Sequence, residues 1–192
     1  MHLHHWWYEV ATNKWRDGGH FGPADIDGFP GLIQSNYNAP GNLEVVAKTS
    51  TGQLCHLWRE AAQWNEGVRF ANNVAQSGAA FVQSTFGKKG DFEVVCVLAD
   101  GRMQHWRRQN DIQGTPWILM ETFGTNVKSS PCMIESQFNM ITEDDNGNFE
   151  LCVQVDGGFQ HWWRDNRSGG QWQLSGAFGQ DVSREGRYFR GP

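Results

Sequence analysis

Four stretches of this chain superpose without a gap: LHHWWYE at 3–9, LCHLWRE at 54–60, MQHWRRQ at 103–109 and FQHWWRD at 159–165. His5, His56, His105 and His161 share one position in that superposition. A second anchor follows each of them as Trp15, Trp64, Trp117 and Trp172, and six residues further on stands Phe21, Phe70, Phe123 or Phe178. Chance does not hold a Trp-to-Phe offset constant four times. The chain is therefore a tandem array, in which each unit must bury its apolar surface against the next.

Upstream of three of the histidine segments lie two further sets of apolar runs. LIQSNY at 32–37, FVQSTF at 81–86 and MIESQF at 133–138 form one set; GNLEVV, GDFEVV and GNFELC, starting at Gly41, Gly90 and Gly147, form the other. The unit thus reads as four strands: A and B from these two sets, C from the histidine segment, and D from the second tryptophan to the phenylalanine. Starts of B lie 49 and 57 residues apart, the size of a propeller blade. Ten tryptophans and 23 glycines, with no helical periodicity, agree with short strands joined by tight turns. The predicted fold is all-β, a β-propeller-type array of four-stranded blades with three complete blades plus a partial fourth, in one domain spanning 1–192. The blades run over about 26–74, 75–127 and 128–181. The partial one combines 1–25 with 182–192, where Tyr188-Phe189-Arg190 aligns with the start of strand A.

Turn chemistry predicts the pairing of B with C. Thr51-Gly52 and Asp100-Gly101 sit between alternating apolar runs and read as two-residue hairpin loops. Closing them sets Glu44 opposite Arg59 and Glu93 opposite Arg108, and a three-residue loop at 156–158 sets Glu150 opposite Arg164. The partial unit has no B strand and carries Tyr8 where the others carry the arginine. Unpaired strand edges are costly, so either the ring closes around the gap or a second chain completes the unit as a homodimer.

A formal net charge of -5 argues against nucleic acid and anionic membrane as partners, since both require a basic face. No apolar run reaches the length of a membrane span, and the N-terminus lacks the basic-then-apolar layout of a secretion signal, so a soluble, cytoplasmic chain is the expectation. Cys55, Cys96, Cys132 and Cys152 sit in apolar runs without a C-x-x-C pair and are expected as buried thiols. No hydrolase, dinucleotide, P-loop or zincin motif occurs, and neither metal nor cofactor is expected. The acidic stretch at 143–147 lacks the ligand alternation of a calcium loop and reads as a turn.

Alternation along strand C puts His5, His56, His105 and His161 on one face with Trp7, Trp58, Arg107 and Trp163. The other face carries Trp6, Leu57, Trp106 and Trp162, with Tyr8, Arg59, Arg108 and Arg164. Both faces of a blade meet a neighbour, so packing accounts for most of these tryptophans and a hydrogen bond within the blade for the histidines. A tryptophan beside arginine and glutamate also suits a saccharide, whose C–H face stacks on the ring while its hydroxyls need paired donors and acceptors. Repetition adds multivalency.

GNxE, then xxHxWRD, then W…F-G, resembles the repeat of lectin-like propellers. The bacterial seven-bladed fucose-binding lectins with an H-x-W-W strand are the nearest in pattern; tectonin and the fungal fucose-lectin propellers are more distant. The resemblance covers about residues 3–190 and implies sugar sites between blades built from Arg, Glu and Trp. Carried onto this chain, the candidates are Trp58, Trp106, Trp162 and Trp163, with Arg59, Arg108, Arg164, Glu44, Glu93 and Glu150, and the partner is a glycan. The chain departs from that family in having far fewer than seven blades. Two other readings stay open: a cofactor-independent cyclase or isomerase whose aromatic pocket folds a hydrophobic small molecule, and a protein-interaction scaffold.

Overall fold

The computed structural model describes residues 1–75, 78–138, 140–142 and 145–180. They form a half-blade of β1 (Leu3–Glu9) and β2 (Lys14–Phe21), followed by three full blades. Blade I comprises β3 (Gly31–Gln34), β4 (Leu43–Lys48), β5 (Leu54–Glu60) and β6 (Gln63–Phe70). Blade II comprises β7 (Ala80–Gln83), β8 (Phe92–Val97), β9 (Met103–Arg108) and β10 (Ile118–Phe123). Blade III comprises β11 (Cys132–Glu135), β12 (Phe149–Val155), β13 (Gly158–Arg164) and β14 (Gln173–Phe178). Each full blade is an antiparallel meander in the order A-B-C-D, and the half-blade pairs only C with D. This is the all-β propeller array expected from the repeat. Residues 182–192, assigned to the partial blade, and Glu143 and Asp144 of the acidic turn lie outside the described residues. Among the described residues no helix is long and apolar enough to cross a membrane.

Blades converge at their A strands, where β7 adjoins both β3 and β11. Asn36 N donates to Gln83 Oε1 at 2.9 Å and Gln83 Nε2 returns a bond to Asn36 Oδ1 at 2.8 Å. One blade further on, Thr85 N and Oγ1 each donate to Glu135 at 2.8 Å. The core lies between sheets. Val45, Val46, Val94, Val95, Leu151 and Val153, the apolar B-strand positions, are all at most 2% exposed. The Trp-to-Phe spacing now has a physical cause: Trp64, Trp117 and Trp172 each stack on the phenylalanine of the preceding blade. Phe21 lies against Trp64 (3.8 Å between centroids, 12° between planes), Phe70 against Trp117 (4.3 Å, 8°) and Phe123 against Trp172 (4.9 Å, 3°). Such pairs contribute roughly 0.5–1.5 kcal/mol beyond their buried area.

The B–C register differs by one residue from the expected one. Arg59 stands opposite Leu43, Arg108 opposite Phe92 and Arg164 opposite Phe149, while Glu44, Glu93 and Glu150 face Trp58, Arg107 and Trp163. The turns explain the slip. Gly52 N bonds Thr49 O and Thr49 N bonds Gln53 O, so the first loop has three residues with Gly52 (φ 75°) in the left-handed position. The second loop repeats this with Leu98, Arg102 and Gly101 (φ 81°). Only the last residue of each loop has positive φ, which is the bulged hairpin rather than the two-residue turn that needs it at both positions. In blade III the loop is the shorter one, with Val155 paired to Gly158. A one-residue slip moves a side chain to the other face of its sheet. The three glutamates therefore leave the arginine face and join the histidine face. The predicted Glu–Arg cross-strand pairs do not form, and Tyr8 does not mark the loss of a glutamate partner.

Candidate functional site

Each glutamate meets the repeated histidine of its own blade. Glu44 Oε2 lies 2.9 Å from His56 Nε2, Glu93 Oε2 2.7 Å from His105 Nε2 and Glu150 Oε2 2.8 Å from His161 Nε2. Across each internal junction the imidazole edge faces the second tryptophan of the next blade. His5–Trp64, His56–Trp117 and His105–Trp172 all sit 5.7 Å apart at 79–85°. The histidines are fasteners, as the hydrogen-bonded reading expects. Among the described residues, no group of three side chains is placed to hold a metal ion.

Above the Glu44–His56 pair, the I/II junction opens into a recess of about 380 Å³, inside the roughly 300–1,000 Å³ range of small-molecule sites. Blade I lines it with Tyr37, Asn38, Asn42, Glu44, His56, Trp58 and Glu60, and blade II adds Arg108 and Gln113. Glu44 and Trp58 are cross-strand neighbours, and Trp58 shares its face with His56, whose ring lies 5.8 Å away at 29°. Glu44 is 2% exposed; Ser35 Oγ donates to its Oε1 at 3.0 Å, so the carboxylate is fixed from two sides. Tyr37 Oη donates to Asn110 O of blade II at 2.8 Å and closes one wall. Arg108 lines the recess with its guanidinium 5.9 Å from the centre of the Phe92 ring; among the described residues its side chain makes one weak hydrogen bond, 3.5 Å from Nη1 to Asn110 Oδ1, and most of its five donors are left unused by it. One indole, one open guanidinium, one fixed carboxylate and several amides thus converge.

Of the ten sequence candidates, Glu44, Trp58 and Arg108 come together here, with the arginine supplied by the following blade. Arg59 belongs to the junction before, where burial and then its charge hold the His5 ring below the usual imidazole range. Glu93 and Arg164 both lie at the II/III junction, near enough for their charges to act on each other but not as an ion pair. Arg164 is 8% exposed and bonds Asn166 Oδ1 at 2.9 Å; burial pulls its guanidinium below the usual range, partly offset by Glu93. Glu150 and Trp163 line an open recess of about 490 Å³ on the outer face of blade III, with Phe138, Asn148, His161 and Ser175. Trp106 and Trp162 lie outside these recesses. Each donates its Nε1–H to a glutamine two residues back at 3.1 Å, and each packs edge-on against Phe70 or Phe123.

Sequence reasoning left Tyr37, Asn42, Glu60 and Gln113 unassigned. One available signal was that all three A runs end in an aromatic: Tyr37, Phe86 and Phe138. The cysteines divide. Cys55 and Cys96 are buried, as expected, and burial pushes their thiols up to about 11 and about 12. Cys132 and Cys152 are exposed and directly opposite each other, because no described element covers that face of blade III. The matching Ala80 and Val95 are buried under blade III itself.

No protein-family model and no curated protein sequence matches the chain. Solved structures do match. The SapL1 lectin, solved with α-methyl fucoside, superposes with a TM-score of 0.61 at 14% identity over 91% of this chain and 55% of its own. AofleA from Arthrobotrys oligospora gives 0.61 at 11% identity, over 92% and 50%. The Aleuria aurantia lectin, solved with α-methyl-L-fucoside, gives 0.60 at 13% identity, over 86% and 50%; it is a six-bladed β-propeller that recognises fucose. This chain therefore spans about half the length of the lectins it matches, and over that span it shares their β-propeller fold.

Proposed function

We propose that this protein is a carbohydrate-binding propeller whose I/II junction holds a saccharide. The observation that carries this reading is the convergence of Trp58, Glu44 and the open guanidinium of Arg108 from two blades. In this reading Trp58 stacks under the C–H face of the sugar, Arg108 donates to neighbouring hydroxyls, and Glu44 with Asn42 accepts from them. That solved neighbours of this fold bind fucosides makes methyl α-L-fucoside the first probe. The recess is open at its mouth and polar at its floor, which favours binding over the deep apolar enclosure a cyclase requires. A glycan array is expected to show saturable binding by the wild-type chain that disappears in Trp58→Ala. Silence across the array sinks the proposal.

The homodimer also has a specific observation behind it. Phe178 of blade III is 49% exposed and Trp15 of the half-blade 67% exposed, yet their counterparts stack on each other at every internal junction. A second copy docking head to tail would bring these two halves of the contact together. Sedimentation at micromolar concentration should show a dimer that Trp15→Ser dissociates; a monomer under those conditions removes this part.

A further inference from the structure

The II/III junction is built from the equivalent positions of I/II, and two of the differences between them introduce opposite charges. Arg107 stands where blade I has Trp58, and Asp91 stands where it has Asn42; blade III returns to Trp163 and Asn148. Arg107 Nε lies 2.9 Å from Asp91 Oδ2 and 3.0 Å from Glu93 Oε1, between the two carboxylates and aimed at neither. Its guanidinium carbon sits 3.9 Å from the centre of the Phe86 ring, which occupies the Tyr37 position. Asp91 is 5% exposed and Glu93 0%. The guanidinium thus stacks on the aromatic wall and sets its positive charge between the carboxylates at the floor.

Glu93, which the guanidinium meets at the floor, is the counterpart of the carboxylate a bound sugar would use at the I/II junction. We propose that Arg107 is a built-in occupant and that the II/III junction takes no saccharide, so that Trp against Arg at this repeat position sets how many junctions are competent. This rests on the reading of I/II as a sugar site. The paired change supports it: a carboxylate at the Asn42 position appears only in the blade that carries an arginine at the Trp58 position, as expected of one ion pair and not of separate ligand contacts. A sugar entering this junction would have to displace a partly desolvated cation from two buried anions.

Calorimetric titration with methyl α-L-fucoside tests it. The wild-type chain is expected to bind at I/II and to lose that site in Trp58→Ala. In the Trp58→Ala background, Asp91→Asn with Arg107→Trp is expected to restore one site per chain. A wild-type site that survives Trp58→Ala and disappears in Arg107→Ala overturns the proposal; so does a folded triple variant that binds nothing while the wild type binds. Phenylglyoxal modification followed by mass spectrometry reads the occupant without any sugar. Arg107 should stay unmodified while Arg102, with 53% of its side chain exposed, is converted. Equal conversion of the two means that Arg107 is not seated, and the proposal falls whether or not the triple variant folds. Protection of Arg107 in a chain that binds no sugar would uphold the seated occupant and sink only the sugar reading of I/II.

Discussion

Replacing His105 by alanine is expected to cost about 3 kcal/mol of folding stability, at the low end of the range for removing one partner of a buried pair. Trp172 Nε1–H donates to His105 Nδ1 at 3.2 Å. That nitrogen must therefore be bare, and the ring proton sits on Nε2 and is donated to Glu93 at 2.7 Å. Glu93 and His105 are 0% exposed and Trp172 5%. One neutral imidazole thus joins a carboxylate of blade II to an indole of blade III, in a place water does not reach. Alanine leaves a cavity and takes the best partner from Glu93. Arg107, 3.0 Å away, remains, which is why the loss stays near the low end. Trp172→Phe keeps a ring on Phe123 but forfeits the indole bond and part of the buried ring volume, roughly 1–2 kcal/mol. Urea unfolding of both variants checks this. The alanine variant should lie well below the phenylalanine one; equal midpoints would mean that the histidine is not a fastener.

The second large effect concerns binding. Trp58→Ala and Arg108→Ala are each expected to weaken saccharide binding by about ten- to a hundredfold, the equivalent of roughly 1.4–2.8 kcal/mol. Trp106→Ala and Trp162→Ala should behave in the opposite way. They remove edge-on contacts with Phe70 and Phe123 and lower the unfolding midpoint, while the folded fraction binds as before. Arg59→Ala should leave affinity at I/II unchanged, because Arg59 faces the half-blade. Affinity and stability measured on the same five variants separate the two classes. If Trp106→Ala lost binding at full stability, the assignment of the recess would be wrong.

The repeat was legible because every copy meets the same constraint, a face that must fit the next blade. Strand order, the B-strand core and the hydrogen-bonding role of the histidines follow from that. The register was not legible. Thr51-Gly52 and Asp100-Gly101 suit a two-residue loop and a three-residue bulged loop equally well in composition, and only backbone geometry tells them apart. That single residue separated a Glu–Arg pairing from the observed Glu–His one. With glutamate held by histidine, Arg108 keeps its donors free, which the sequence pairing would have denied. Which tryptophans pack and which line a recess was also out of reach. Alternation assigns faces, but both faces of a blade are covered, and the outcome depends on the facing blade: Phe70 meets Trp106, whereas Arg108 and Gln113 leave Trp58 an open mouth. Arg107 was placed on the histidine face by alternation alone. Its role needed the positions of Asp91 and Glu93 in one run and Phe86 in another.

In the proposed reading the sugar sits on Trp58 at the I/II junction. The most direct test of that reading is a titration of methyl α-L-fucoside followed through the indole N–H resonances of the ten tryptophans in nitrogen-15-labelled protein. The prediction is a saturable shift of the Trp58 resonance, with Trp106 and Trp162 unmoved. A shift confined to Trp106 or Trp162, or no indole shift at saturating sugar, would contradict it.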